Sequence, residues 1–210
     1  MRVRIAVMIL SGLAILPGIA QESVYGPSAP AGAGFVRVIH GAGGTGPVSL
    51  EIGEASFGPV RAGEGTPYRP VSQGLYVVAL ADTETEVFPR AGIYQTVAIT
   101  DDGVKVISDT VHEDPARAQL VLYNLTGRAA AKLVVEPSGE PVLEAVPAGG
   151  AESRAVNAVT VALAVTAGEG ERTGPVRVEL RRGGSYGFLA YEVEGRIEAT
   201  VVEATVEVDG

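Results

Sequence analysis

The sequence predicts an all-β chain built as two tandem antiparallel β-sandwich domains related by internal duplication, and three observations carry that prediction. The spacing of Gly92, Tyr94, Ala98 and Gly103 recurs at Gly184, Tyr186, Ala190 and Gly195. The flanking segments recur with it in the same order: 35–40 with 119–124, 48–52 with 132–136, 60–62 with 146–148 and 74–80 with 157–163. Between these segments the apolar residues fall in short runs rich in Val, Ile, Leu, Thr and Tyr, broken by Gly, Pro, Asp and Asn, with no helical period.

Taken in chain order, residues 1–20 have a secretory layout. Arg2 and Arg4 precede an apolar run over 5–16, Pro17 breaks it, and small residues stand at 18 and 20. Cleavage is expected after Ala20, which makes the chain an exported protein. Residues 21–34 read as an extended arm, because Pro27, Pro30 and several glycines crowd a short span. The first β-sandwich domain is expected over 35–110, with strands near 35–40, 48–53, 56–60, 67–71, 75–80, 84–88, 93–99 and 104–108. An acidic stretch interrupted by Pro115 places a linker at 111–116. The second domain follows over 117–210, with strands near 118–124, 131–136, 142–146, 152–156, 158–166, 175–181, 185–192 and 196–208. Alternation is clearest where Val36 and Val38 flank Arg37, and where Val176, Val178 and Leu180 alternate with Arg177, Glu179 and Arg181. One face of such strands is buried and the other is wet.

Composition narrows the function classes. The chain has 210 residues, no Cys and a formal charge of −9, which becomes −11 once Arg2 and Arg4 leave with the signal. Without Cys there is neither a disulfide framework nor a Cys-linked lipid anchor, so each domain folds on its own apolar core. So acidic a chain is poorly suited to nonspecific capture of nucleic acid or of an acidic polysaccharide.

Candidate chemistry is sparse. Residues 183–187 match the G-x-S-x-G pattern of a nucleophile elbow around Ser185, but nothing predicts the helix that such an elbow opens. The matching position of the first repeat is Ile93, so a glycine-rich turn explains the segment better. His40 and His112 are the available bases. His40 matches Asn124, which points to a turn residue that hydrogen-bonds in both repeats. His112 has no second His or Cys with which to close a metal site, and no metal or cofactor is expected. The acids Glu51, Glu54, Asp101, Asp102, Glu192 and Glu194 read as solvated strand faces and turns. Residues 41–44 are rich in glycine but open no helix that would cradle a phosphate. With no Trp, carbohydrate stacking would fall to Tyr25, Tyr68, Tyr76, Tyr94, Tyr123, Tyr186 and Tyr191. Tyr94 and Tyr186 read instead as core or corner tyrosines. Asn124-Leu125-Thr126 matches a glycosylation sequon and reads as a turn.

Several short motifs resemble the AlgF family of alginate O-acetylation accessory proteins. They are Val24-Tyr25-Gly26-Pro27, Pro30-Ala31-Gly32 and Phe35-Val36-Arg37-Val38 in the first half. In the second half they are Leu122-Tyr123-Asn124-Leu125-Thr126, Ala148-Gly149-Gly150, Arg154-Ala155-Val156-Asn157 and Val159-Thr160-Val161-Ala162-Leu163. The resemblance implies two domains similar to carbohydrate-binding modules and a noncatalytic periplasmic adaptor required for O-acetylation of an alginate-like exopolysaccharide. It implies periplasmic O-acetyltransferases of the SGNH type as partners, with the membrane-bound O-acyltransferase and the polysaccharide itself as further candidates. The residues expected at the partner surface are Tyr25, Pro27, Pro30, Phe35 and Arg37, where a stiff arm and the first strand would bind by anchoring or strand addition. The alternative for the arm is that it folds back and Tyr25 packs on its own domain. Two other readings stand beside the adaptor: a stand-alone secreted carbohydrate-binding sandwich, and a weak esterase or acetyltransferase centred on Ser185.

Overall fold

Valine, isoleucine and leucine at alternate positions make half-buried strands, and their number here requires several layers. The computed structural model describes residues 32–80, 83–168 and 170–207. Among the described residues there are seventeen strands and no helix. Each expected strand is present within a few residues. The sequence reading missed the short β14 (Glu171–Arg172) and extended the last strand too far, since β17 spans Arg196–Glu203.

In the first half, β4 (Arg69–Val71), β1 (Gly34–His40), β7 (Tyr94–Thr100) and β8 (Gly103–Ser108) form a four-stranded sheet in that order. Two hairpins cover it: β2 (Val48–Ile52) with β3 (Ala55–Val60), and β5 (Tyr76–Leu80) with β6 (Thr83–Val87). Val36, Val38, Val97 and Ile99 of the sheet meet Leu50, Ile52, Phe57, Val78 and Val87 of the hairpins in one core.

The second half repeats this plan. Its four-stranded sheet runs β12 (Ala151–Val156), β9 (Ala118–Asn124), β16 (Ser185–Val193) and β17. The covering sheet places β10 (Ala130–Val135) between β11 (Pro141–Pro147) and β13 (Thr160–Ala167), with β14 and β15 (Val176–Glu179) both pairing β13. Leu120, Leu122 and Phe188 pack there on Leu133, Leu163 and Val165.

Two expectations need correction. The sheets are mixed rather than purely antiparallel, because β1 pairs β7 in parallel and β9 pairs β16 in parallel. Both pairs join the first strand of a half to a late one, and the intervening hairpins supply the long crossover that a parallel pair needs. The repeated tyrosines are also not equivalent. Gln95 stands beside Val36 in the first sheet, whereas Tyr186 stands beside Leu120 in the second. The glycines with positive φ before these strands, Gly92 at 71° and Gly183 at 74°, fix the same offset. The sequence match is therefore one residue out of register, and a slip of one residue moves a side chain to the opposite face. Tyr186 lies in the second core, where its hydroxyl accepts from the Arg181 amide at 3.1 Å. Tyr94 faces the other way and stacks on Phe35 with ring centroids 4.6 Å apart.

The faces of the two four-stranded sheets that point away from their own cores pack on each other, giving four β-layers in all. Ile39 and Ala98 of the first half meet Val121, Tyr123, Leu125, Leu189 and Tyr191 of the second in this seam. The chain end tightens it. Residues 205–207 lie in parallel beside Tyr68, whose amide donates to the Thr205 carbonyl at 2.8 Å and whose carbonyl accepts from the Glu207 amide at 2.8 Å. An ion pair of 3.0 Å between Arg69 and Glu207 closes the clasp.

Candidate functional site

The seam contains a charged cluster that neither half could hold alone. Alternation along β1 sends Arg37 away from the Val36 and Val38 core, into the seam, where its exposure is 1%. Its Nε donates to Thr96 Oγ1 at 3.0 Å and its Nη2 donates to Tyr123 Oη at 2.7 Å. Thr96 passes the interaction on, its hydroxyl donating to Asp109 Oδ2 at 2.6 Å, and the Tyr123 hydroxyl donates to Asp109 Oδ1. Tyr68 adds a third donor to that carboxylate at 2.9 Å. The guanidinium carbon also lies 4.6 Å from the Tyr68 ring centroid and 5.2 Å from that of Tyr123.

One buried cation and one half-buried anion are thus joined through two hydroxyls. Burial works against the Arg37 charge, but Tyr123, Tyr68 and Asp109 outweigh it and hold the guanidinium more firmly protonated than usual. Burial pushes the Tyr123 hydroxyl up to about 12 and drives that of Tyr68 further. Both tyrosines therefore act as neutral donors at physiological pH.

Beyond this cluster the seam opens into a cleft of about 170 Å3. Asp109, His112, Gln119 and Ser185 supply its polar wall, and Tyr68, Tyr94, Val111 and Val206 its apolar one. Ser185 and His112, far apart in sequence, thus share one cleft. Ser185 Oγ donates to Gln119 Oε1 at 2.8 Å, and Gln119 Nε2 donates to the Thr110 carbonyl at 3.1 Å. His112 Nε2 bonds the Arg117 carbonyl at 2.9 Å, which makes it the protonated nitrogen. The Ser185 hydroxyl hydrogen is directed at an amide oxygen, and the imidazole hydrogen at a backbone oxygen. Neither contact joins a nucleophile to a base.

A larger open groove of about 620 Å3 runs between β3 and β17. Its charged lining residues Glu64 and Arg69 already engage Arg61 and Glu207. It brings no reactive side chains together.

Of the residues expected at a partner surface, Tyr25, Pro27 and Pro30 lie outside the described residues. Phe35 is half-buried on Tyr94 at the edge of the cleft. Arg37 is corrected from an exposed contact to a buried one, because the second sandwich covers the face that alternation had left wet. Strand addition at β1 is also excluded, since β4 and β7 pair with it on both sides. His40 and Asn124 behave alike: His40 Nδ1 accepts from the Ala42 amide and Nε2 bonds the Gly46 carbonyl, each at 3.2 Å. Asn124 is fully buried and donates to the Arg128 and Val146 carbonyls, so the sequon is a loop brace.

Sequence reasoning missed Asp109, Thr96 and Tyr123 as a unit. A signal was available in residues 120–123, Leu-Val-Leu-Tyr, an apolar run without alternation that marks a strand buried on both faces.

The matches by family and by sequence point to one family. The family described as alginate O-acetyl transferase AlgF matches residues 6–187. The chain is 27% identical over 174 residues to the alginate biosynthesis protein AlgF of Pseudomonas syringae pv. tomato, covering 82% of this chain and 77% of that protein. It is 26% identical over 166 residues to the alginate biosynthesis protein AlgF of Pseudomonas putida, covering 78% and 75%. A solved structure of the C-terminal domain of AlgF from P. aeruginosa aligns with 42% of this chain and 98% of its own, at 22% identity and a TM-score of 0.38. With a family match that runs through the first sandwich and into β16 of the second, this chain belongs to the AlgF family.

Proposed function

We propose that this protein acts in alginate biosynthesis as a noncatalytic periplasmic adaptor for O-acetylation of the polymer, bridging SGNH-type acetyl-transfer enzymes. Family membership supports the pathway and the acetyl chemistry. The observation that carries the noncatalytic part is the Ser185 hydroxyl, held on the Gln119 side-chain oxygen at 2.8 Å rather than on a base. Acyl transfer through a serine needs a base beside the hydroxyl, and the hydrogen bonds of His40 and His112 all go to backbone groups rather than to Ser185. Two sandwiches fused through a charged seam suit a rigid spacer between enzymes. Pro27 and Pro30 of the arm, with Phe35, belong to the proposed partner-facing end; Arg37 does not.

The carbohydrate-binding reading ranks behind. It calls for tyrosines facing solvent along one sheet, yet Tyr68, Tyr123, Tyr186 and Tyr191 are buried, and Tyr76 and Tyr94 are half-buried.

The test is the O-acetyl content of secreted alginate in an in-frame deletion strain, complemented with wild type or with Ser185→Ala. Acetylation is expected to be lost on deletion and restored by both. Restoration by wild type alone, with the variant folded and present at normal level, would make the protein a catalyst; unchanged acetylation in the deletion strain would remove it from the process.

A further inference from the structure

Of the large apolar side chains exposed among the described residues, Leu75, Val77, Phe88 and Val159 lie outside the seam cleft and three others gather at it. Among the described residues, Ile93, Val111 and Val206 are 43%, 49% and 46% exposed. Val111 and Val206 line the seam cleft, and Ile93 precedes Tyr94, which lines it too. Phe35 lies flat against Tyr94 on the same side. An apolar rim of this kind around a concave site marks a surface that is covered in use.

The described chain begins at this rim. The Gly92 amide donates to the Ala33 carbonyl at 3.0 Å, and the Phe35 amide donates to the Ile93 carbonyl at 2.8 Å. Gly32 therefore stands at the turn that carries Ile93. Tyr25 precedes Gly32 by seven residues, which an extended chain spans in about 24 Å. From β1 across β7 to the segment after β8 is two strand spacings, or about 10 Å. Val24 and Tyr25 are the only large apolar side chains between the expected signal cleavage site and Gly32. The cleft, at about 170 Å3, accepts one or two such side chains rather than an extended polymer.

We infer that the seam cleft is the docking site for the chain's own N-terminal arm, with Val24 and Tyr25 as the anchor against Tyr94, Val111 and Val206. The inference goes beyond the adaptor reading and is tested on the isolated chain, so either can fail without the other.

The absence of Trp and Cys makes the test clean. In the mature chain carrying Tyr25→Trp, emission at a shorter wavelength than in the urea-unfolded chain is expected. Adding Val206→Asp should shift it toward the unfolded value while far-ultraviolet circular dichroism stays unchanged. Emission identical to the unfolded chain, or indifferent to Val206→Asp, overturns the inference. A second measurement does not depend on that fluorophore. Under mild oxidation, Val24→Cys with Val111→Cys should close a disulfide within one chain, whereas Val24→Cys with Asp102→Cys, at the far end of β7, should not. Equal yields for the two pairs, or disulfides only between chains, overturn it as well.

Discussion

His40 and Asn124 end the first strand of each half at the same register, beside Ile99 and Ala190 respectively. Each braces the loop that follows, one with an imidazole and the other with an amide. The imidazole brings a pH dependence that the amide does not. His40 is fully buried, and its pKa is lowered from the ordinary 6.5 chiefly by that burial, against the raising pull of the Gly46 carbonyl, Asp101 and Glu64. A depressed folded pKa means that the unfolded chain takes up a proton that the folded site resists. The stabilisation by neutral His40 is therefore complete above pH 6.5 and is lost as pH falls through the folded value. Urea midpoints measured from pH 7.5 to pH 5 should fall more steeply for wild type than for His40→Asn, whose side chain copies Asn124. Parallel curves would show that His40 does not contribute to the acid sensitivity.

At the scale of elements, the glycine-rich loop after β1 is explained by close approach. Gly41 and Gly43 face the second half. A Cβ on Gly41 would stand 2.5 Å from that of Leu125, and one on Gly43 would drive into the Glu192 carbonyl. Ala42 between them forms a bridge with Glu192. Gly44 and Gly46 have open space around them. Gly43→Ala should therefore cost about 1–3 kcal/mol through the forced shift of the loop, while Gly44→Ala stays within about 0.5 kcal/mol of wild type. Thermal unfolding of the two variants checks this, and equal losses would remove the seam-contact explanation. The same scale shows how a repeat can mislead. The spacing around Tyr94 and Tyr186 identified the paired strands, but Tyr94 follows its turn glycine by two residues and Tyr186 by three, and only backbone geometry at Gly92 and Gly183 fixes which face each tyrosine takes.

At the scale of the whole molecule, the question is what makes two sandwiches one body. Arg37 has no route to water, so its charge depends on Asp109 reached through Thr96 and Tyr123. Removing the anion alone strands a buried cation, a loss of about 3 kcal/mol. Removing both charges leaves an apolar seam that still packs around Ile39, Val121 and Leu189. Asp109→Asn and Arg37→Met should each destabilise in urea, and the double variant should lose less than the sum by about 1–3 kcal/mol. Additive losses would mean that the hydroxyl relay does not couple the two charges. Tyr123→Phe offers a finer check, since it deletes one relay arm and should cost about 1–3 kcal/mol, the penalty of an unmatched buried group.

The sequence by itself determined the β class and the places of the strands along the chain, because period-two alternation and Gly, Pro and Asp punctuation are local properties of the chain. It also placed His40 and Asn124 correctly as matching loop braces, since hydrogen-bonding turn residues act on neighbours a few positions away. The parallel pairing of β1 with β7, the face taken by Tyr94 and the burial of Arg37 were decided only by the tertiary structure. Alternation says which side of a strand is polar but not what covers that side. Arg37 reads as a surface residue within its own sandwich and becomes a core residue when the second sandwich brings Tyr123 and closes over it, a contact across 86 positions of sequence.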